Sequence, residues 1–263
     1  FRRVLFRSRY NMKSIIRLLI LITIFPIVNL NSQSIITDRP DQTESATTVP
    51  IGSFQIETGF SLEYIKSDGM HYQNWYGPSN LFRIGLTDFI ELRVVTNLVN
   101  LKNIGKGYST TGISDLEVGG KVNIYTSTNG KFILGFLSHL IIPTGSYDLT
   151  NTKYGTINKF ALSYSLSDKV GLACNLGYDY FGYENGNLVY TFVAGYSITD
   201  KLGLYAEVYG DVDNFKDNYS SFDGGFTYLI RNNLQYDFSF GTGINHRMNY
   251  VSTGISWNIG GYN

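Results

Sequence analysis

From Ser53 to Tyr64 the chain alternates with almost no errors. Ser53, Gln55, Glu57, Gly59, Ser61 and Glu63 fall on one parity; Phe54, Ile56, Thr58, Phe60, Leu62 and Tyr64 fall on the other. A period of two places these sets on opposite faces of a β-strand, one wet and one apolar. An ordinary globular strand runs about 5–6 residues. This one is long enough to cross a bilayer at a tilt, which takes about 9–11 residues.

The pattern recurs along the chain. Residues 81–87, 89–97, 113–125 and 132–142 alternate in the same way, as do 157–166, 170–181, 188–198 and 202–211, then 220–229, 234–240 and 251–259. With the opening segment these make about twelve strands. Tight turns are expected at Thr87-Asp88, Asn129-Gly130, Ser167-Asp168, Thr199-Asp200 and Asn232-Asn233. The alternate connections read as longer loops, the clearest at 67–80, 100–112 and 143–156. Short turns on one side and longer loops on the other predict an all-β fold: a transmembrane antiparallel up-and-down β-barrel with both termini periplasmic. In hydrocarbon no backbone donor can stay unpaired, so residues 53–64 must close the barrel against 251–259. A soluble β-sandwich also alternates but does not give this one-sided loop asymmetry after a signal peptide.

Composition narrows the classes further. Mean hydropathy of −0.07 excludes a helical membrane protein, while 21 Tyr and 17 Phe suit aromatic girdles. The single Cys174 excludes an intrachain disulfide framework and a cysteine zinc site; it reads as a small apolar strand residue. The overall charge of zero hides an asymmetry. Residues 1–34 hold six basic and no acidic side chains, which leaves the remainder at −6 and argues against a nucleic-acid partner. No phosphate-binding glycine loop, His-x-x-x-His pair or cysteine pair occurs, so no cofactor and no metal is expected.

The chain divides into four parts. Residues 1–11 read as a non-native leader, in which Val-Leu-Phe-Arg-Ser resembles translated adapter DNA. Residues 12–34 read as a signal peptide: a basic start at Met12-Lys13, an apolar run from Leu18 to Leu30, and small Ser32 and Ser34 at the cleavage positions. Residues 35–52 are polar, aperiodic and hold Pro40 and Pro50. This segment is either a disordered periplasmic tail or a piece tucked into the barrel mouth or lumen. The lack of Gly/Ser low complexity favours the second. In that case Asp38, Asp41 and Glu44, with Arg39 among them, should lie near Arg83, Arg93 or Lys121. Residues 53–259 form the barrel.

The wet faces gather the candidate lumen-lining residues. The acids are Glu57, Glu91, Asp115, Glu117 and Asp179, followed by Glu207, Asp223 and Asp237; the bases are Arg83, Arg93, Lys121 and Lys159, with His139 beside them. These either pair with one another and fill the lumen or line a polar pathway with a mild cation preference. A twelve-stranded barrel is wider than the eight-stranded kind that side chains fill. An enzymatic reading needs a nucleophile near a base. Ser138 and His139 are adjacent in a strand and point apart, so only an acid from another strand, Asp179 or Glu117, could serve His139. That leaves an outer-membrane hydrolase with a rim His–carboxylate site, and a non-conducting structural or adhesin barrel, as rivals to a channel.

Several stretches carry a family resemblance. Thr37-Asp-Arg-Pro-Asp-Gln-Thr-Glu-Ser-Ala, Val49-Pro-Ile-Gly and Gln55-Ile-Glu-Thr-Gly resemble the start of the bacterial outer-membrane family named for a MetA pathway of phenol degradation. Leu86-Thr-Asp-Phe-Ile-Glu-Leu-Arg, Gly112-Ile-Ser-Asp-Leu-Glu-Val-Gly-Gly-Lys, Pro143-Thr-Gly and Glu207-Val-Tyr-Gly resemble its later motifs. The resemblance spans 36–259. It implies a Gram-negative outer-membrane transporter that passes small solutes, aromatic or hydrophobic compounds among them, with outer-membrane lipid as its other partner. No oligomeric state follows from the sequence.

Overall fold

A computed structural model of the chain describes residues 35–260 except Asp68. Residues 1–34, read from the sequence as a leader and a signal peptide, lie outside the described residues. Four strands open the fold: β1 (Phe54–Ser67), β2 (Met70–Thr87), β3 (Ile90–Asn103) and β4 (Tyr108–Ile113). Next come β5 (Leu116–Thr126), β6 (Phe132–Ile142), β7 (Gly155–Ser165) and β8 (Val170–Tyr180). The series ends with β9 (Asn187–Ser197), β10 (Leu202–Asp213), β11 (Asp217–Arg231), β12 (Leu234–Gly243) and β13 (Arg247–Ile259).

Every neighbouring pair is antiparallel, and β1 ladders with both β2 and β13. Thirteen β-runs make twelve staves, because β4 and β5 both pair with β3 and form one interrupted stave. The interruption falls at Ser114-Asp115. The first and last strands close over a long register, from Phe54 opposite Ile259 to Lys66 opposite Arg247. The sheet has no free edge at membrane depth, as hydrocarbon requires.

The molecule is inverted relative to a water-soluble domain. Phe60 is 57% exposed and Phe192 54%, and Leu92, Phe160, Leu176, Phe222, Phe240 and Ile255 also face outward. The largest fully buried side chains are Arg83, Arg93 and Lys121. An apolar exterior of this extent matches hydrocarbon; charge there would cost about 2–4 kcal/mol per Lys or Arg at midplane.

Two expected loops are corrected. Residues 67–80 and 100–112 are mostly strand: β2 begins at Met70, β3 runs on to Asn103 and β4 begins at Tyr108. His71 therefore lies in β2 opposite Lys66, not in a loop. Beyond the hydrocarbon both faces of a strand meet water, so the apolar parity fades in Tyr72-Gln73-Asn74 while the backbone ladder continues. For the same reason β11 starts earlier than the periodicity suggests, at Asp217, and β12 ends later, at Gly243. The asymmetry of the connections survives as longer strands. The end that carries the tight turns and residues 53 and 259 is called the turn end, and the opposite one the loop end.

Candidate functional site

Residues 35–52 occupy the lumen. The segment starts at the turn end, where the Ile35 amide donates to the Asn232 carbonyl at 2.7 Å. It returns there, with the Gly52 amide donating to the Gly85 carbonyl at 2.9 Å. Between these anchors it forms an inserted plug without regular secondary structure. Its peptide groups therefore need partners from the wall. Glu57 accepts from the amides of Asp38 (2.9 Å) and Arg39 (3.1 Å). Glu207 accepts from the Gln42 amide at 2.7 Å, and Glu91 from the Val49 amide at 2.7 Å. The Asn175 side chain accepts from the Glu44 amide (2.7 Å) and donates to the Glu44 carbonyl (3.0 Å).

The plug brings charge of its own. Asp38 lies 3.4 Å from Arg83, 2.6 Å from Arg93 and 2.9 Å from Lys121. Arg83 also pairs with Glu57 and Glu91, each at 2.9 Å, and donates to the Thr47 carbonyl at 3.0 Å. Arg93 bonds Glu44, and Lys159 stands 3.7 Å from the same carboxylate. Across the lumen Arg39 reaches Asp237 at 2.8 Å. Burial alone would raise the Asp38 carboxyl, but Arg83, Lys121 and Arg93 outweigh it and hold it well below the usual range. Burial likewise opposes ionisation of Glu44, and Arg93 and Lys159 hold it at about 2. Asp41 differs. Burial, then the carboxylates of Glu207 and Asp223, push it well above the ordinary value.

Small residues make room for the plug. Gly59 and Gly254 are cross-strand partners, and a Cβ on either would collide with the Arg39 guanidinium. At Gly85 a Cβ would strike the Pro50 carbonyl.

His139 is buried beside this network. The Arg93 Nε donates to its Nε2 at 2.9 Å, so its proton sits on Nδ1 and is shared with Glu117 at 3.0 Å. Both ring nitrogens are engaged. Ser138 points the other way, onto Asn158 at 2.8 Å. Asp115 stands apart from the network. Its carboxylate accepts from the Gly145 and Asn151 amides and holds the 143–154 connection at the loop end.

On the loop side of the plug the lumen is open. A cavity of about 670 Å³ is floored by Arg39, Asp41 and Gln42 and walled by Glu63, Asp179, Asp211 and several tyrosines. Of the expected set, Asp38 and Glu44 of the plug join Glu57, Arg83, Glu91, Arg93, Lys121, Glu117 and His139 in one network; Asp41 does not reach Arg83, Arg93 or Lys121 but lines the cavity with Lys159 and Asp179, Arg39 pairs with Asp237, and Asp223 lies beside Glu207. Sequence reasoning missed the buried neutral partners Gln55, Asn175 and Thr191, and the cavity tyrosines Tyr209 and Tyr250. Their parity was the available signal: Tyr209 shares the inward face of Glu207 and Asp211.

The family model described as "Putative MetA-pathway of phenol degradation" matches residues 37–259. The chain belongs to this family. The matched stretch covers nearly all of the plug and the whole wall, so the inserted segment lies inside the family's boundaries. No curated protein matches the sequence. Among solved structures, an outer membrane channel from Pseudomonas putida F1 is similar at a TM-score of 0.66 and 13% identity, over 81% of this chain and 98% of that one. The KdgM porin in complex with disordered oligogalacturonate is similar at a TM-score of 0.55 and 9% identity, over 78% of this chain and 99% of that one. At these identities the likeness is one of fold, and the fold is that of outer-membrane barrels.

Proposed function

We propose that the protein is a passive outer-membrane channel for small solutes, aromatic or hydrophobic ones included, oriented with its turn end to the periplasm and regulated by residues 35–52. The observation that carries this reading is a charged lumen, open as a cavity on one side and filled on the other by a segment bound through side chains. A purely structural barrel has no need of a cavity of this size. A plug fixed through ion pairs can leave without breaking a single backbone ladder bond. The two similar solved structures, a channel and a porin, support the same class. The lumen-lining role assigned to the inward charges belongs to this proposal.

The hydrolase reading loses its base. His139 has both nitrogens committed to Arg93 and Glu117, and the adjacent Ser138 hydroxyl points away onto Asn158. Single-channel recording in planar bilayers tests the channel reading, with the chain from residue 35 compared with a form lacking residues 35–50. Conductance in the shortened form, with small or intermittent conductance in the longer one, is expected. Silence from both sinks the proposal.

A further inference from the structure

At the loop end the outward face of the barrel carries its charge in one place. Lys66 of β1 stands directly opposite Arg247 of β13 on one side and His71 of β2 on the other. Lys66 has the parity of Phe60 and Leu62, so this row points away from the lumen, and all three side chains are exposed. Lys102 of β3 is exposed in the next outward row, opposite Gln73. None of Lys66, Lys102 and Arg247 forms an ion pair among the described residues. The loop-side outward positions of β4 to β12 hold no Lys, Arg, Asp or Glu.

Like charges directly across a sheet repel. The lumen shows how such a pair is made acceptable. Arg83 and Arg93 are also direct cross-strand partners, and the Asp38 carboxylate lies 3.4 Å from one and 2.6 Å from the other. Lys66 and Arg247 repeat that arrangement on the outside, where the described chain supplies no carboxylate.

The surface beneath this row suits an amphiphile. The next outward row is Gln73, Tyr64 and Asn249, and the one after it is Trp75, Leu62 and Val251. Charge gives way to amide and phenol, then to hydrocarbon. Height agrees. Lys66 lies twelve residues from Phe54 along β1. At about 3.3 Å per residue and a tilt of about 40°, that is about 30 Å along the membrane normal, just above an apolar band about 25 Å tall. A cavity of about 410 Å³ at the same rim is lined by Lys66, His71, His246 and Arg247 and by no described Asp or Glu. A phosphate monoester brings up to two negative charges and three acceptor oxygens, enough for an ammonium and a guanidinium side by side.

We propose that Lys66 and Arg247, with His71 beside them, bind a phosphate of a phosphorylated glycolipid in the outer leaflet, whose acyl chains lie along Leu62 and Val251. The proposal goes beyond the channel reading and takes from it only the orientation, loop end outward. Inorganic phosphate shares the chemistry but makes no use of the apolar row.

Native mass spectrometry of the folded barrel in detergent, titrated with diphosphoryl lipid A, tests the site. This lipid should bind on the order of tenfold more tightly than its dephosphorylated form, and inorganic phosphate should not displace it. Lys66→Gln combined with Arg247→Gln should erase the preference and, because it removes a repulsion, leave the lipid-free barrel as resistant to unfolding as before. Should that variant fail to fold, Lys66→Gln alone carries the test. Lys169→Gln combined with Lys201→Gln, at exposed positions of the turn end, should leave the preference intact. Equal affinity for the two lipids, a preference that survives without Lys66, an equal loss in the turn-end variant, or displacement by inorganic phosphate overturns the proposal. An epitope inserted between Gly105 and Lys106 should be reached by antibody on intact cells. Access only after permeabilisation overturns the orientation and this lipid with it, whereas silent bilayers overturn the channel and leave this site standing.

Discussion

The two halves of the lumen share one wall and one alternation rule, yet they treat charge in opposite ways. On the turn side, Arg83, Arg93 and Lys121 meet Asp38, Glu44, Glu57 and Glu91 at contact distance, and the space is full. On the loop side, Asp41, Glu63, Asp179 and Asp211 surround a void with no committed counter-charge. The lesson is that inward charge alone does not mark a pathway. Matched charge holds the plug, and unmatched charge is what remains for a solute.

Removing the plug should erase the difference and give the largest effect. Deletion of residues 35–50 is expected to raise single-channel conductance on the order of tenfold, since the turn half becomes a water-filled ring of side chains. The same deletion removes Asp38, Asp41 and Glu44 against only Arg39, so cation preference should weaken. Reversal potentials in a salt gradient measure that shift.

Breaking the matched half from the wall side is the next largest change. Arg83→Ala leaves Glu57 and Glu91 buried without their shared partner, a loss of about 3–5 kcal/mol by analogy with other severed buried pairs. Denaturant unfolding followed by the electrophoretic band shift measures it. An equal loss in Asp211→Asn, on the unmatched side, would contradict the comparison.

A gentler change shifts the plug without touching a charge. Gly59→Leu places a side chain where the Arg39 guanidinium lies, and should loosen the plug by about 1–3 kcal/mol, the usual range for overpacking. The readout is a rise in conductance smaller than the deletion gives, with the barrel still folded.

Acid should produce the smallest effect. Asp38 and Glu44 have carboxyls depressed in the docked plug, so docking releases protons and is strongest above the ordinary carboxylate value of 4.5. That contribution fades as pH falls toward about 2. Asp41 runs the other way: its raised carboxyl favours the docked plug while protonated and opposes docking once ionised. Conductance recorded between pH about 5 and about 3 should rise modestly on acidification as the Asp38 and Glu44 contribution declines. A fall over that window would show that Asp41 dominates the latch.

Much of the wall was legible in the sequence because its cause is local. Alternation at 53–64 and again at 170–181 follows from one greasy side and one wet side, and each needs only its own strand. The extensions of β2 and β3 were not legible. Above the lipid both faces are wet, so Tyr72, Gln73 and Asn74 carry no periodic signal even though the ladder continues through them. The charges of the site were legible one by one, from parity. Their partners were not, because each contact joins residues far apart in the chain. Arg39 and Asp237 are separated by 198 positions and no local pattern links them. Neutral partners such as Asn175 and Thr191 lay on the correct parity but differ in no way from ordinary wet-face residues until a peptide chain is placed beside them.

The plug precedes the wall in sequence but depends on all of it. Its anchors are spread from Glu57 on β1 to Asp237 on β12, and the notch for Arg39 exists only once Gly59 of β1 faces Gly254 of β13. The earliest residues of the described chain are therefore among the last to reach their places. Until the seam between first and last strands closes, the inward carboxylates and guanidinium groups must keep their water. The plug's full set of contacts thus requires the closed wall, so the obstruction of the lumen is a property of the finished barrel and of no part of it alone.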